Sequence, residues 1–142
     1  MNISSINLVA FDNRFIETIK DYKKIHLKEG EGTYYTITAN KKKAGVIGFQ
    51  TEKDGNIGLK IGIHQDFRGQ GVFGKALTLL AKKHTFDKIY SEVAIANIAS
   101  VKAHEKVGFK RIPKKKEEEL KEKGLMYKRN MMLVKNIKFQ NY

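Results

Sequence analysis

Short β-branched and alternating runs recur along the chain, separated by stretches whose apolar residues return every three to four positions. Ile3–Ala10 alternates and predicts a first strand. From Asp12 the period lengthens: Phe15, Ile16, Ile19, Tyr22, Ile25 and His26 fit one face of a helix over about 13–28, capped by Asp12 and ended by Gly30 and Gly32. Strands are expected near 33–39, 44–52 and 56–63, parted by polar turns at 40–43 and 53–56. A helix near 71–84 and a strand near 88–95 come next. A short helix over 97–107 has Asn97 as N-cap, Ile98, Val101 and Val107 as its inner face, and Gly108 as its stop. Strands near 109–112 and over Met126–Val134 complete the set. Lys114–Lys123, with Glu117→Lys121 and Glu119→Lys123 at i,i+4 spacing, reads as a solvated stretch. No repeat or linker interrupts this order, so residues 1–142 are expected to form one mixed α/β domain.

The junction at 63–77 carries the first chemistry. An apolar run ends at Ile63, glycines follow at 69, 71 and 74, and Val72, Phe73, Ala76, Leu77 and Leu80 open a helix at once. A strand that breaks on glycines and enters a helix aims several backbone N–H groups, and the positive end of the helix dipole, at one point. Such a point suits a phosphate, and Arg68 adds a cation of fixed fork geometry. The kinase-type phosphate loop is excluded, because Lys75 is followed by Ala76 rather than by a hydroxyl residue for magnesium. Gly69-x-Gly71-x-x-Gly74 also matches the dinucleotide fingerprint literally, but the chain is short for a doubly wound sheet.

Residues 89–109 supply the second motif: a strand to Ile95, then Asn97, Ser100, His104, Gly108 and Phe109. Together the two segments resemble the GNAT superfamily of acyl-CoA-dependent N-acyltransferases, over about residues 44–112. That family has an Arg/Gln-x-x-Gly-x-Gly/Ala loop for the pyrophosphate of coenzyme A and an Asn-x-x-Ser/Ala-x-x-x-Tyr-x-x-x-Gly-Phe segment beside the pantetheine arm. Arg68, Gly71, Asn97, Ser100, Gly108 and Phe109 fall on those positions. Phe73 stands where the loop usually has Gly or Ala, and His104 stands where the family commonly has its tyrosine.

The resemblance implies a mixed, mostly antiparallel twisted sheet of six to seven strands, splayed between strands 4 and 5 and flanked by three to four helices. It implies acetyl-CoA as cosubstrate, no metal, and a primary amine as acceptor. The expected cofactor residues are Ile61, Ile63, Arg68, Gly69, Gln70, Gly71, Val72, Phe73, Gly74, Asn97 and Ser100, with a main-chain N–H near Ile61–Ile63 for the oxyanion. His104 would protonate the departing thiolate, its position in the last helical turn favouring the charged form. Glu92, twelve residues before it, resembles the base of the ribosomal-protein N-acetyltransferases, with His64 as the other option. Tyr34 and Tyr127 are expected at the acceptor, which could be a peptide or protein α-amine or a small-molecule amine.

Composition narrows the remaining classes. The chain has no cysteine, which excludes an acyl-cysteine intermediate and any disulfide and fits a reducing, cytoplasmic setting. No export or membrane segment is read at the N-terminus, and four scattered histidines make no metal spacing. Lys plus Arg number 28 against 15 Asp plus Glu, a net charge of +13. Arginine appears only at 14, 68, 111 and 129, so the excess is lysine and points less to nucleic acid than to a polyanionic cofactor. A catalytically weakened acyl-CoA-binding module and a basic nucleic-acid-binding domain are the alternative readings, and a homodimer is left open.

Overall fold

The computed structural model describes residues 2–137. Seven strands are hydrogen-bonded in one sheet: β1 (Ile6–Ala10), β2 (Gly32–Ala39), β3 (Lys42–Thr51), β4 (Ile57–Ile63), β5 (Lys88–Ala94), β6 (Lys110–Arg111) and β7 (Asn130–Asn136), in the order β1-β2-β3-β4-β5-β7-β6. Three α-helices, α1 (Val72–Lys83), α2 (Ile98–Lys106) and α3 (Lys114–Glu122), accompany it. The mixed sheet expected from the sequence is therefore present. The chain forms two compact units, Met1–Gln50 with Leu59–Thr85, and Thr51–Gly58 with Phe86–Tyr142.

In the first unit β1 and β2 run antiparallel with Ile6 opposite Ala39, and β2 and β3 antiparallel with Tyr35 opposite Ile47. The β2–β3 turn is tight because Asn40 and Lys41 adopt left-handed φ values of 50° and 68°. Ile37, Val46 and Ile47 fill the core, and α1 turns Val72, Ala76, Leu77 and Leu80 inward. Phe73, at i,i+3 and i,i+4 spacing from Ala76 and Leu77 on the same face, is half-buried.

The helix expected over 13–28 is not formed. Two short 3-10 helices, Phe15–Thr18 and Tyr22–Ile25, take its place. Ile19 is extended (φ −79°, ψ 127°) and buried, while Asp21 and His26 are left-handed, so no continuous α-turn can pass through either end. The repeating apolar positions serve anchoring points rather than one helical stripe.

In the second unit β5 and β7 pair antiparallel from Lys88↔Asn136 to Ala94↔Asn130, and β6 pairs with β7 at Lys110↔Val134. The parallel pairing of β4 with β5 is at Gly58↔Tyr90, the start of β4. β7 begins later than expected, at Asn130, because Met126–Arg129 is spent on a turn into the strand. The 114–123 stretch forms α3, and it is not wholly solvated. Glu117 is 3% exposed. Its carboxylate accepts Arg111 Nε (3.0 Å) and Nη2 (2.6 Å), the Met132 amide (3.1 Å) and Lys121 Nζ (3.3 Å). The expected 117→121 pair thus exists, with the glutamate turned into the fold.

Candidate functional site

The glycine loop begins where β4 stops. His64 Nδ1 accepts the Asp66 amide (3.1 Å) and caps a 3-10 turn, Gln65–Phe67, whose Phe67 is buried. The chain then passes through Gly69 (φ 76°) and Gly71 (φ 79°), the N-cap of α1. Both φ values lie where an L side chain is strained. A Cβ built on either glycine meets no atom within 4 Å, so open space lies before both and a side chain would take it up. The Lys75 amide donates to the Gly71 carbonyl at 3.5 Å. The amides of Gly69, Gly71, Val72 and Gly74 donate no hydrogen bond among the described residues. Unpaired donors at the positive end of a 12-residue helix are a cradle for an anion, and the loop fits the pyrophosphate of a nucleotide cofactor.

Arg68 does not project freely at this mouth. Its Nε donates to the Ile63 carbonyl (2.9 Å) and its Nη2 to the Lys20 carbonyl (3.0 Å), leaving three N–H groups for a ligand. Gln70 Nε2 donates to the Asp66 carbonyl (3.2 Å). Ile61 and Ile63 are half-buried on β4.

The second unit holds the other expected residues. Asn97 Oδ1 accepts the Ser100 amide (3.3 Å) and caps α2, as its residue type predicts. Ile98, expected inward, is 63% exposed, and the one buried side chain of α2 is His104, at 3%. Its Nδ1 lies 2.8 Å from the Ser100 carbonyl, which can only accept, so Nδ1 carries the proton. Nε2, 2.8 Å from Ser91 Oγ, is then the acceptor of that hydroxyl. Burial pushes His104 below the ordinary imidazole range, only partly opposed by the Ser100 carbonyl. The Phe109 ring stands edge-on to it at 5.1 Å. Both ring nitrogens are thus engaged inside the fold.

Glu92 is exposed on β5, beside buried Ser91. Its Oε2 accepts the Tyr127 amide (3.1 Å) and Asn130 Nδ2, which pins the turn before β7. Oε1 has no partner among the described residues. Tyr127 is 64% exposed, with the Arg129 guanidinium 5.3 Å above its ring. Tyr34 is by contrast buried, its hydroxyl between Gln50 Oε1 (2.5 Å) and the Lys28 backbone (O at 3.0 Å, N at 3.3 Å). Ser91, Asn130 and Gln65 were not singled out from the sequence. Only Ser91 left a signal, a small polar residue at an inward position of an apolar strand.

Among the described residues no group of three or more His, Asp or Glu side chains is gathered to hold a metal ion. No helix among them is long and apolar enough to cross a membrane.

The sequence matches the acetyltransferase (GNAT) domain family over residues 10–110. No curated protein matches it significantly. Among solved structures of similar fold is a spermidine N-acetyltransferase chimera from Vibrio cholerae and hSSAT, at 17% identity, covering 94% of this chain and 96% of that one, with a TM-score of 0.65. A ribosomal-protein α-N-acetyltransferase aligns at 19% identity over 94% of each chain, with a TM-score of 0.63. A Bacillus subtilis acetyltransferase in complex with CoA aligns at 15% identity over 92% of this chain and 97% of that one, also with a TM-score of 0.63.

Proposed function

The chain belongs to the GNAT family of acetyltransferases, and from that premise we propose that it moves an acetyl group from acetyl-CoA to a primary amine by direct attack. The observation that carries the cofactor half of this reading is the glycine loop, whose open amides and left-handed Gly69 and Gly71 suit a pyrophosphate. In the proposal Gly69, Gln70, Gly71, Val72, Phe73 and Gly74 offer their main chain to the phosphates, and Arg68 lends its unused N–H groups. Ile61 and Ile63 offer backbone groups to the pantetheine and the oxyanion. Asn97 and Ser100 remain proposed pantetheine contacts.

An amine attacks a thioester only when neutral, so a base is required. Glu92 is the proposed base through Oε1, because Oε2 already holds the Tyr127 amide and Asn130. His104 is reassigned from acid to positioning residue. Its ring ties the Ser100 carbonyl of α2 to Ser91 of β5, which engages both nitrogens inside the fold. That same observation favours the second reading, an acyl-CoA-binding module of weakened turnover.

The acceptor classes to test first are those for which two structural neighbours are named, a polyamine and a protein N-terminus. Release of free thiol from acetyl-CoA, followed with spermidine and with short peptides bearing a free α-amine, tests the function. Amine-dependent release supports transfer. Acetyl-CoA binding without release on any amine supports the binding module instead.

A further inference from the structure

The segment 15–25, which replaces the expected long helix, touches the end of β4 and the glycine loop at four separate points. The Phe15 ring stacks on His64 with centroids 5.8 Å apart and planes 25° apart. Gln65 Oε1 accepts the Lys20 amide (2.9 Å), and its Nε2 donates to the Thr18 carbonyl (3.2 Å). Arg68 Nη2 donates to the Lys20 carbonyl (3.0 Å). Ile25 covers Gly62 so closely that a Cβ there would overlap its Cδ1. Two of these contacts are weakly directional packing, whereas the Gln65 and Arg68 bonds are specific and read backbone, so they hold whatever side chain stands at 18 or 20. Between Thr18 and Lys20 the chain leaves the 3-10 helix at extended Ile19, whose amide donates to the Ile16 carbonyl (3.1 Å), and the Lys20 amide is taken by Gln65. The same segment contributes Ile16, Glu17 and Tyr22 to a groove of about 400 Å³ that Phe11 and Leu27 also line.

We infer that Gln65 is a positioning residue: with Arg68 it straps Thr18–Lys20 to the glycine loop, so that an anion bound by the loop also orders the segment that lines the groove. The inference rests on the acetyl-CoA reading above. Anything that stabilises the loop then stabilises segment 15–25, and whatever occupies the groove strengthens the loop by the same factor. Gln65 itself lies before the glycines, on the far side of Arg68, and is not among the cofactor contacts proposed for the loop.

Hydrogen exchange of the full chain, with and without saturating acetyl-CoA, reads this coupling, and calorimetric titration of the same samples reads binding. In the wild type, acetyl-CoA is expected to slow exchange across 15–25 by about fivefold or more. Gln65→Ala is expected to bind acetyl-CoA with a Kd within about threefold of the wild type and to lose that slowing at 18–20. Gln65→Glu, which keeps the acceptor for the Lys20 amide and loses the donor to Thr18, is expected to fall between the two. Equal slowing in wild type and Gln65→Ala would overturn the strap, as would binding to the wild type without any slowing at 15–25. Absence of binding to the wild type would overturn the acetyl-CoA reading and this inference with it.

Discussion

His104 decides between two kinds of residue at one position. In the last turn of a helix an exposed histidine favours the protonated form, but here burial outweighs the bond to the Ser100 carbonyl and disfavours the charged ring. The unfolded chain therefore binds the extra proton. His104 contributes stability that is full above its ordinary value of 6.5 and declines as pH falls through it. Chemical denaturation at a series of pH values should show His104→Asn less stable than the wild type at pH 8, with a shallower decline between about pH 7 and 5.5. An unchanged slope would return the ring to solvent. Tyr34 makes a second residue-scale test. Its hydroxyl is bonded to Gln50 and the Lys28 backbone, so Tyr34→Phe should cost about 1–2 kcal/mol of stability and leave acceptor KM unchanged. Neither assignment was legible in the sequence, because a helical histidine or a strand tyrosine has the same spacing whether it faces a ligand or the core.

At the scale of elements, the glycine-led helix, the strand before it, and α2 with its Asn97 cap and Gly108 stop were readable. Each is specified by local chemistry: positive-φ glycines, a capping side chain and a 3.6-residue apolar face. The first interval was not readable, since its apolar positions repeat at helical spacing but are used as anchors. Ile19 goes to the core and Ile25 to Gly62. α3 shows the opposite error. Its Lys/Glu pattern reads as solvated, yet Glu117 turns inward because three elements present donors to it: Arg111 at β6, Lys121 on α3 and the Met132 amide of β7. The Arg111 guanidinium, aided by that amide and Lys121, holds the Glu117 carboxyl down at about 2 against an ordinary 4.5. Its contribution is full above pH 4.5 and is lost as pH falls from there toward 2. Glu117→Gln should lower stability at pH 7 by about 2–3 kcal/mol, and the variant should lose less than the wild type on going from pH 5 to 3 in the same denaturation experiment. Equal losses would mean that the ion pair does not differ between folded and unfolded chains.

For the whole molecule, the family is shown by the match over residues 10–110, and the charge of +13 sets the electrostatic surroundings. A field of that sign draws in polyanions, so affinity for acetyl-CoA should fall as salt rises from 50 to 500 mM. The sequence carried the fold class and the glycine loop because both depend on backbone geometry that glycines and strand patterns announce. It did not carry the acceptor, nor the irregular 15–25 segment, whose apolar positions repeat at helical spacing. The central claim is that the glycine loop binds acetyl-CoA through its main chain. Calorimetric titration of the wild type and Gly71→Glu with acetyl-CoA tests it most directly. Saturable binding of one ligand per chain, abolished by a carboxylate set in the open space before Gly71, is the predicted result. No binding to the wild type, or equal binding to both, would contradict it.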